Sequence, residues 1–99
     1  MLHMVTISHG PDTCAAVHSE IGALARKARS EIDATAKGLG ITVQGWWVDA
    51  PGHVFYLLAD APHAHAVNKL MTDVQLFLWN TIDIHPIVTI DEAMPLAAS

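Results

Sequence analysis

A chain of 99 residues can enclose one hydrophobic core and no second one, so residues 1–99 are read as a single domain. Apolar residues make up 52% of it, which excludes a disordered chain, and a net charge of −5, with four of the five cations (Arg26, Lys27, Arg29, Lys37) in one segment, argues against a nucleic-acid partner. No apolar run approaches the ~18 residues of a membrane helix, no secretory signal is visible, and the single cysteine, Cys14, excludes an internal disulfide, so a cytoplasmic protein without a membrane partner is expected.

In chain order, Leu2–Ser8 alternates as a strand, with His3, Val5, Ile7 and His9 on one face and Leu2, Met4 and Thr6 on the other. Gly10-Pro11-Asp12-Thr13 breaks it and offers Asp12 or Thr13 as a helix N-cap. From Cys14 the apolar spacing turns helical (Cys14, Val17, Ile21, Leu24, Ala28, Ile32, Ala36), until Gly38 and Gly40 end it. Ile41–Asp49 reads as a second strand, Ala50-Pro51-Gly52-His53 as a type II turn, and Val54–Ala59 as the returning strand of a hairpin. Asp60 as cap and Pro62 in the first turn open a second helix with the stripe Ala64, Val67, Leu70 or Met71, and Val74. Thr81–Asp91 alternates again as a last strand, which Pro86 assigns to a sheet edge.

The order β-α-β-β-α-β predicts an α+β, ferredoxin-like domain: a four-stranded antiparallel sheet with two helices on one face. Both faces of the strands carry apolar side chains, Trp46 and Val48 opposite Trp47, and Phe55 and Leu57 opposite Tyr56 and Leu58. A half-solvated antiparallel sheet alternates apolar with polar residues, and monomers rarely leave a large apolar patch in water. The expected cover is a second copy, giving a homodimeric barrel with higher assembly left open; the short tail Met94–Ser99 is the weaker alternative.

The chain resembles the dimeric α+β barrel proteins. The resemblance is carried by that element order, by Trp47-Val48-Asp49, Pro51-Gly52 and Val54-Phe55-Tyr56-Leu57 in the hairpin, by Ala61-Pro62 before Ala66-Val67, and by Ile84-His85-Pro86-Ile87-Val88. It is most similar to small bacterial members that bind nickel or another transition metal. The resemblance implies the fold and the dimer; it transfers no ligand positions, and the superfamily also holds monooxygenases, isomerase-like enzymes and haem-degrading enzymes.

Histidine is the unusual component: His3, His9, His18, His53, His63, His65 and His85. The fold gathers His9, Cys14, His18, His53 and His85, with Asp12, Asp49 and Asp83, toward one end of the sheet, and His9, Cys14, His18 and His85 stand out among them. Cys14 and His18 stand four apart in the expected first helical turns, close enough to share an ion, and a helix start favours the thiolate that a metal requires. These four are the candidate metal ligands, and sulfur with imidazole nitrogen suits Ni, Cu or Zn. The same residues have plainer readings: Cys14 as a core thiol on the apolar stripe, His18 as a rim residue, and His53, His63 and His65 as solvent-exposed. The competing function is a cofactor-independent enzyme or carrier with a small apolar ligand in a cavity between sheet and helices. Trp46, Trp47, Phe55, Tyr56 and Phe77 are its candidate lining, and His9 or His85 its general base. No Gly-rich phosphate loop is present, so no nucleotide cofactor is expected.

Overall fold

The computed structural model describes residues 1–98. Four strands, β1 (Leu2–Ser8), β2 (Thr42–Asp49), β3 (Val54–Asp60) and β4 (Thr81–Ile87), form one antiparallel sheet in the order β2-β3-β1-β4. Two helices, α1 (Ser19–Gly38) and α2 (Ala64–Asp73), cover one face, and a single helical turn, α3 (Ile90–Ala93), follows β4. This is the expected α+β, ferredoxin-like arrangement. Pro86 lies in the edge strand β4, where a missing N–H leaves no ladder bond unmade. No helix among the described residues is long and apolar enough to cross a membrane.

The alternation in β1 sets the layers. His3, Val5 and Ile7 are buried under the helices, and Leu2, Met4, Thr6 and Ser8 face the other way. Cross-strand partners share a face, so Val5 lies between Leu57 and Ile84, and Ile7 between Phe55 and Ile82. Ala28, Ile32 and Ala36 of α1 and Val67, Leu70 and Met71 of α2 close the core from above. In β2 the ladder slips between Val43 and Gly45, a bulge that turns both Val43 and Trp46 toward the helices. On the opposite face the Trp47 ring folds back over Gly45, where any Cβ would collide with it.

That opposite face is apolar across its middle (Met4, Leu58, with Tyr56 and Trp47 partly exposed) but polar along β4, where Thr81, Asp83 and His85 stand in register with Ser8, Thr6 and Met4. The apolar reading of both faces therefore holds at Leu2 and Met4 of β1 and in the middle of β2 and β3, and fails at Thr6, Ser8 and the β4 edge. The described part of the tail, residues 94–98, does not cover this face, since Met94 and Leu96 remain 55% and 88% exposed; Ser99 lies outside the described residues.

Three expected boundaries shift. The first helix begins at Ser19 rather than Cys14, because Pro11–Thr13 forms a separate 3₁₀ turn and the chain stays extended at His18. Val17, placed on the core stripe by its spacing, is 71% exposed. The second helix is capped by His63, whose Nδ1 accepts from the Ala66 N–H at 3.1 Å, and not by Asp60. The last strand stops at Ile87, since Thr89 and Glu92 form a capping box that starts α3.

Candidate metal centre

The site lies where β1 and β3 run out at the same end of the sheet. Beyond the last ladder pair, Ser8 with Val54, one further backbone bond joins the His9 N–H to the His53 carbonyl at 3.2 Å. Strand alternation sends both side chains to the helix side: His9 is two residues past inward Ile7, and His53 two before inward Phe55. The two imidazoles meet edge to face with centroids 5.2 Å apart. Behind His9 stand Phe55 and Trp79, at 5.9 and 5.2 Å between ring centres.

His53 is held there by its backbone. Its N–H donates to the Ala50 carbonyl at 3.2 Å, and its φ is +56°, whereas Gly52 keeps a negative φ. The turn is therefore not the expected type II form, which needs a left-handed third residue. The left-handed position falls on a histidine where glycine would be the unstrained choice.

Cys14 arrives from the loop after the 3₁₀ turn. The N–H groups of Val17 and His18 both donate to the Cys14 carbonyl, at 3.1 and 3.2 Å. The loop lies close on α1 at Gly22, where a Cβ would come within 3.1 Å of the Ala15 carbonyl oxygen. The result is a half-buried free thiol beside the two imidazoles. One ligand atom each from His9, Cys14 and His53 lies within 4.8 Å of the others. Tetrahedral ligands on one zinc ion stand roughly 3.3–3.6 Å apart, so the three side chains would have to draw together to share one.

The hydrogen bonds leave the imidazoles ready to bind. The Asn80 amide N–H donates to the Leu76 carbonyl at 3.1 Å, which turns its Oδ1 toward His9 Nδ1, also at 3.1 Å. His9 must then carry its proton on Nδ1, with the Nε2 lone pair free. His9 Nε2 and His53 Nδ1 are both buried with no partner among the described residues. A ligating histidine characteristically donates its other ring N–H to such an oxygen.

Of the expected ligands, His9 and Cys14 are brought together; His18 and His85 are not part of the group. His18 is the exposed N-cap residue of α1, because the helix that was to align it with Cys14 starts later. His85 lies mid-strand, opposite Met4, on the sheet face away from the helices. His53, expected in solvent, is the third member. Counting inward from Phe55 would have found it.

Of the five candidate lining residues, Trp46, Trp47 and Phe55 line a cavity of about 440 Å³ between α1 and the β2 edge. Tyr56 does not, since it pairs with Thr6 and Trp47 on the far face, and Phe77 gives way to Trp79.

The family model described as "Domain of unknown function (DUF3303)" matches residues 1–99. No curated protein matches the chain.

Proposed function

The chain belongs to the DUF3303 family, whose description assigns no function, and from its own side chains we propose that it binds one transition-metal ion through His9, Cys14 and His53. The observation that carries this reading is the pair of buried, unpartnered ring nitrogens beside a thiol, one of them fixed as an acceptor by Asn80. An orphaned buried nitrogen costs roughly 1–3 kcal/mol, a penalty that a bound cation removes. Two nitrogens and one sulfur suit Ni, Cu or Zn. Three protein ligands leave a fourth position for water or another small ligand, as in binding and catalytic sites rather than closed structural ones. The requirement for a free thiolate fits a reducing compartment, and we place the protein in the cytoplasm on that ground.

The working form in this proposal is a homodimer. The uncovered middle of the sheet (Met4, Leu58, Tyr56, Trp47) and the outlying apolar side chains Val88, Ile90, Met94 and Leu96 belong to the same chain, so a second copy brings apolar surface to both. Sedimentation is expected to give a dimer at micromolar concentration; a stable monomer there removes this part of the proposal.

For the metal, untagged protein is expected to bind close to one equivalent of Zn²⁺ or Ni²⁺ per chain in titration. With Ni²⁺ or Cu²⁺ a thiolate-to-metal charge-transfer band should appear and be absent from Cys14→Ser. Affinity should fall as pH is lowered, because protons compete for imidazole and thiolate. Protein that ignores all three metals overturns the reading.

A further inference from the structure

The cavity beside β2 is separate from the metal cluster: Phe55 and Trp79 form the partition, with His9 packed on one side and the cavity on the other. Its walls are largely apolar, from Ala25 and Ile32 on α1, Val43 on β2 and Leu76 after α2, and three aromatic rings complete them: Trp46, Phe55 and Trp79. Phe55 contacts both indoles, with centroids 6.0 Å from Trp46 and 6.1 Å from Trp79. About 440 Å³ is within the range of small-molecule sites and too little for a peptide segment.

Apart from Arg29 and Asp33 at the mouth, the lining residues bring one kind of side-chain polar group. Trp46 Nε1 and Trp79 Nε1 are both buried without an acceptor, and an indole nitrogen only donates. No unpartnered buried acceptor belongs to a lining residue among those described. At the mouth Arg29 and Asp33 face each other at 3.6 Å, so the charge there is balanced and selects neither sign.

We propose that this cavity is a second binding site, for a flat, uncharged, largely apolar small molecule carrying a hydrogen-bond-accepting oxygen, such as an aryl ketone or quinone. The aromatic walls hold its rings, and its oxygen accepts from Trp46 or Trp79. Neither indole nitrogen is open to water, so the ring concerned swings toward the oxygen as the molecule enters. The site is independent of the metal, since no lining residue belongs to the ligand set.

The test compares 2-acetylnaphthalene with 2-ethylnaphthalene, its near-isostere without the oxygen, and with 2-naphthoate. Binding to ¹⁵N-labelled wild-type protein is read from the three indole N–H resonances, assigned by single Trp→Phe variants. The ketone is expected to move the Trp46 or Trp79 resonance downfield and to bind roughly tenfold more tightly than the hydrocarbon, the worth of one hydrogen bond. Trp46→Phe or Trp79→Phe should erase that preference. Ala25→Phe, which fills the cavity, should abolish binding of both while leaving metal titration intact. Equal affinity for ketone and hydrocarbon, tighter binding of the carboxylate, or no binding at all overturns the proposal. So do indole resonances that respond only to protein concentration, which would make the cavity a contact between copies. If a tryptophan variant fails to fold, the wild-type shifts and the ketone-to-hydrocarbon ratio decide.

Discussion

His3 lies in β1 and His9 one residue past its end, on the same face and six residues apart, and they differ in what surrounds them. Both put Nδ1 within 3.1 Å of an oxygen, the Met1 carbonyl for His3 and Asn80 Oδ1 for His9, and both leave a buried Nε2 without a partner. Around His3, at the end of the sheet beside Ala59 and Pro86, no group of three potential metal ligands converges among the described residues. Around His9 there are a thiol and a second imidazole. At the His3 end the remaining histidines are engaged singly: His63 caps α2, and the exposed His65 stands 6.2 Å from it, ring to ring. The number of histidines therefore says little about metal. What distinguishes the two ends is a turn and a loop that deliver additional donors to one of them.

The largest expected effect separates the two ends directly. His9→Ala and Cys14→Ser should each weaken Zn²⁺ or Ni²⁺ binding by about 100-fold or more, beyond the 10–100-fold typical of outer-sphere changes, whereas His3→Leu should leave it unchanged. Equal losses at both positions would dissolve the distinction. His53→Gly sharpens it differently. Glycine relieves the left-handed backbone at φ +56° while deleting the ligand, so metal affinity should drop as it does for His9→Ala. Metal-free stability in urea should meanwhile rise by up to about 1 kcal/mol; a ligand loss accompanied by unfolding would mean that the imidazole serves packing. Asn80→Leu comes next, with an affinity loss of about 10–100-fold, because His9 then loses the group that fixes its tautomer. A pH-affinity profile that changes in Asn80→Leu distinguishes this positioning role from a merely local packing defect.

Strand phase carried most of what could be read in the sequence. It placed His3, Val5, Ile7 and His9 on one side of β1 and Pro86 at an edge, but it did not choose a face for the cavity, naming Trp47 and Tyr56 beside Trp46 and Phe55. The site was half legible for a reason that can be located. The spacing of Cys14, Val17 and Ile21 fits a helix, but Pro11–Thr13 and the extended His18 hold residues 14–18 in a loop, and a loop's path depends on what it packs against. His18 was aligned by a helix that is not there. His53 was hidden by its turn, since Pro51-Gly52 drew the left-handed conformation to glycine, while the backbone assigns it to the histidine that follows. Asn80 carries no sequence signal, because its meeting with His9 spans 71 positions and needs the tertiary fold.

The smallest effect concerns the end of the sheet with no converging donors. If His63 is a cap and not a ligand, His63→Ala should cost about 1 kcal/mol of stability, the usual worth of a side-chain N-cap, and should leave metal stoichiometry untouched. His63→Asp supplies a carboxylate acceptor for the same Ala66 N–H at a positive helix end. It should restore the loss in full, although it removes the imidazole. Rescue by aspartate together with unchanged metal titration separates the two ends of the sheet by function, whereas metal lost in both variants would join them.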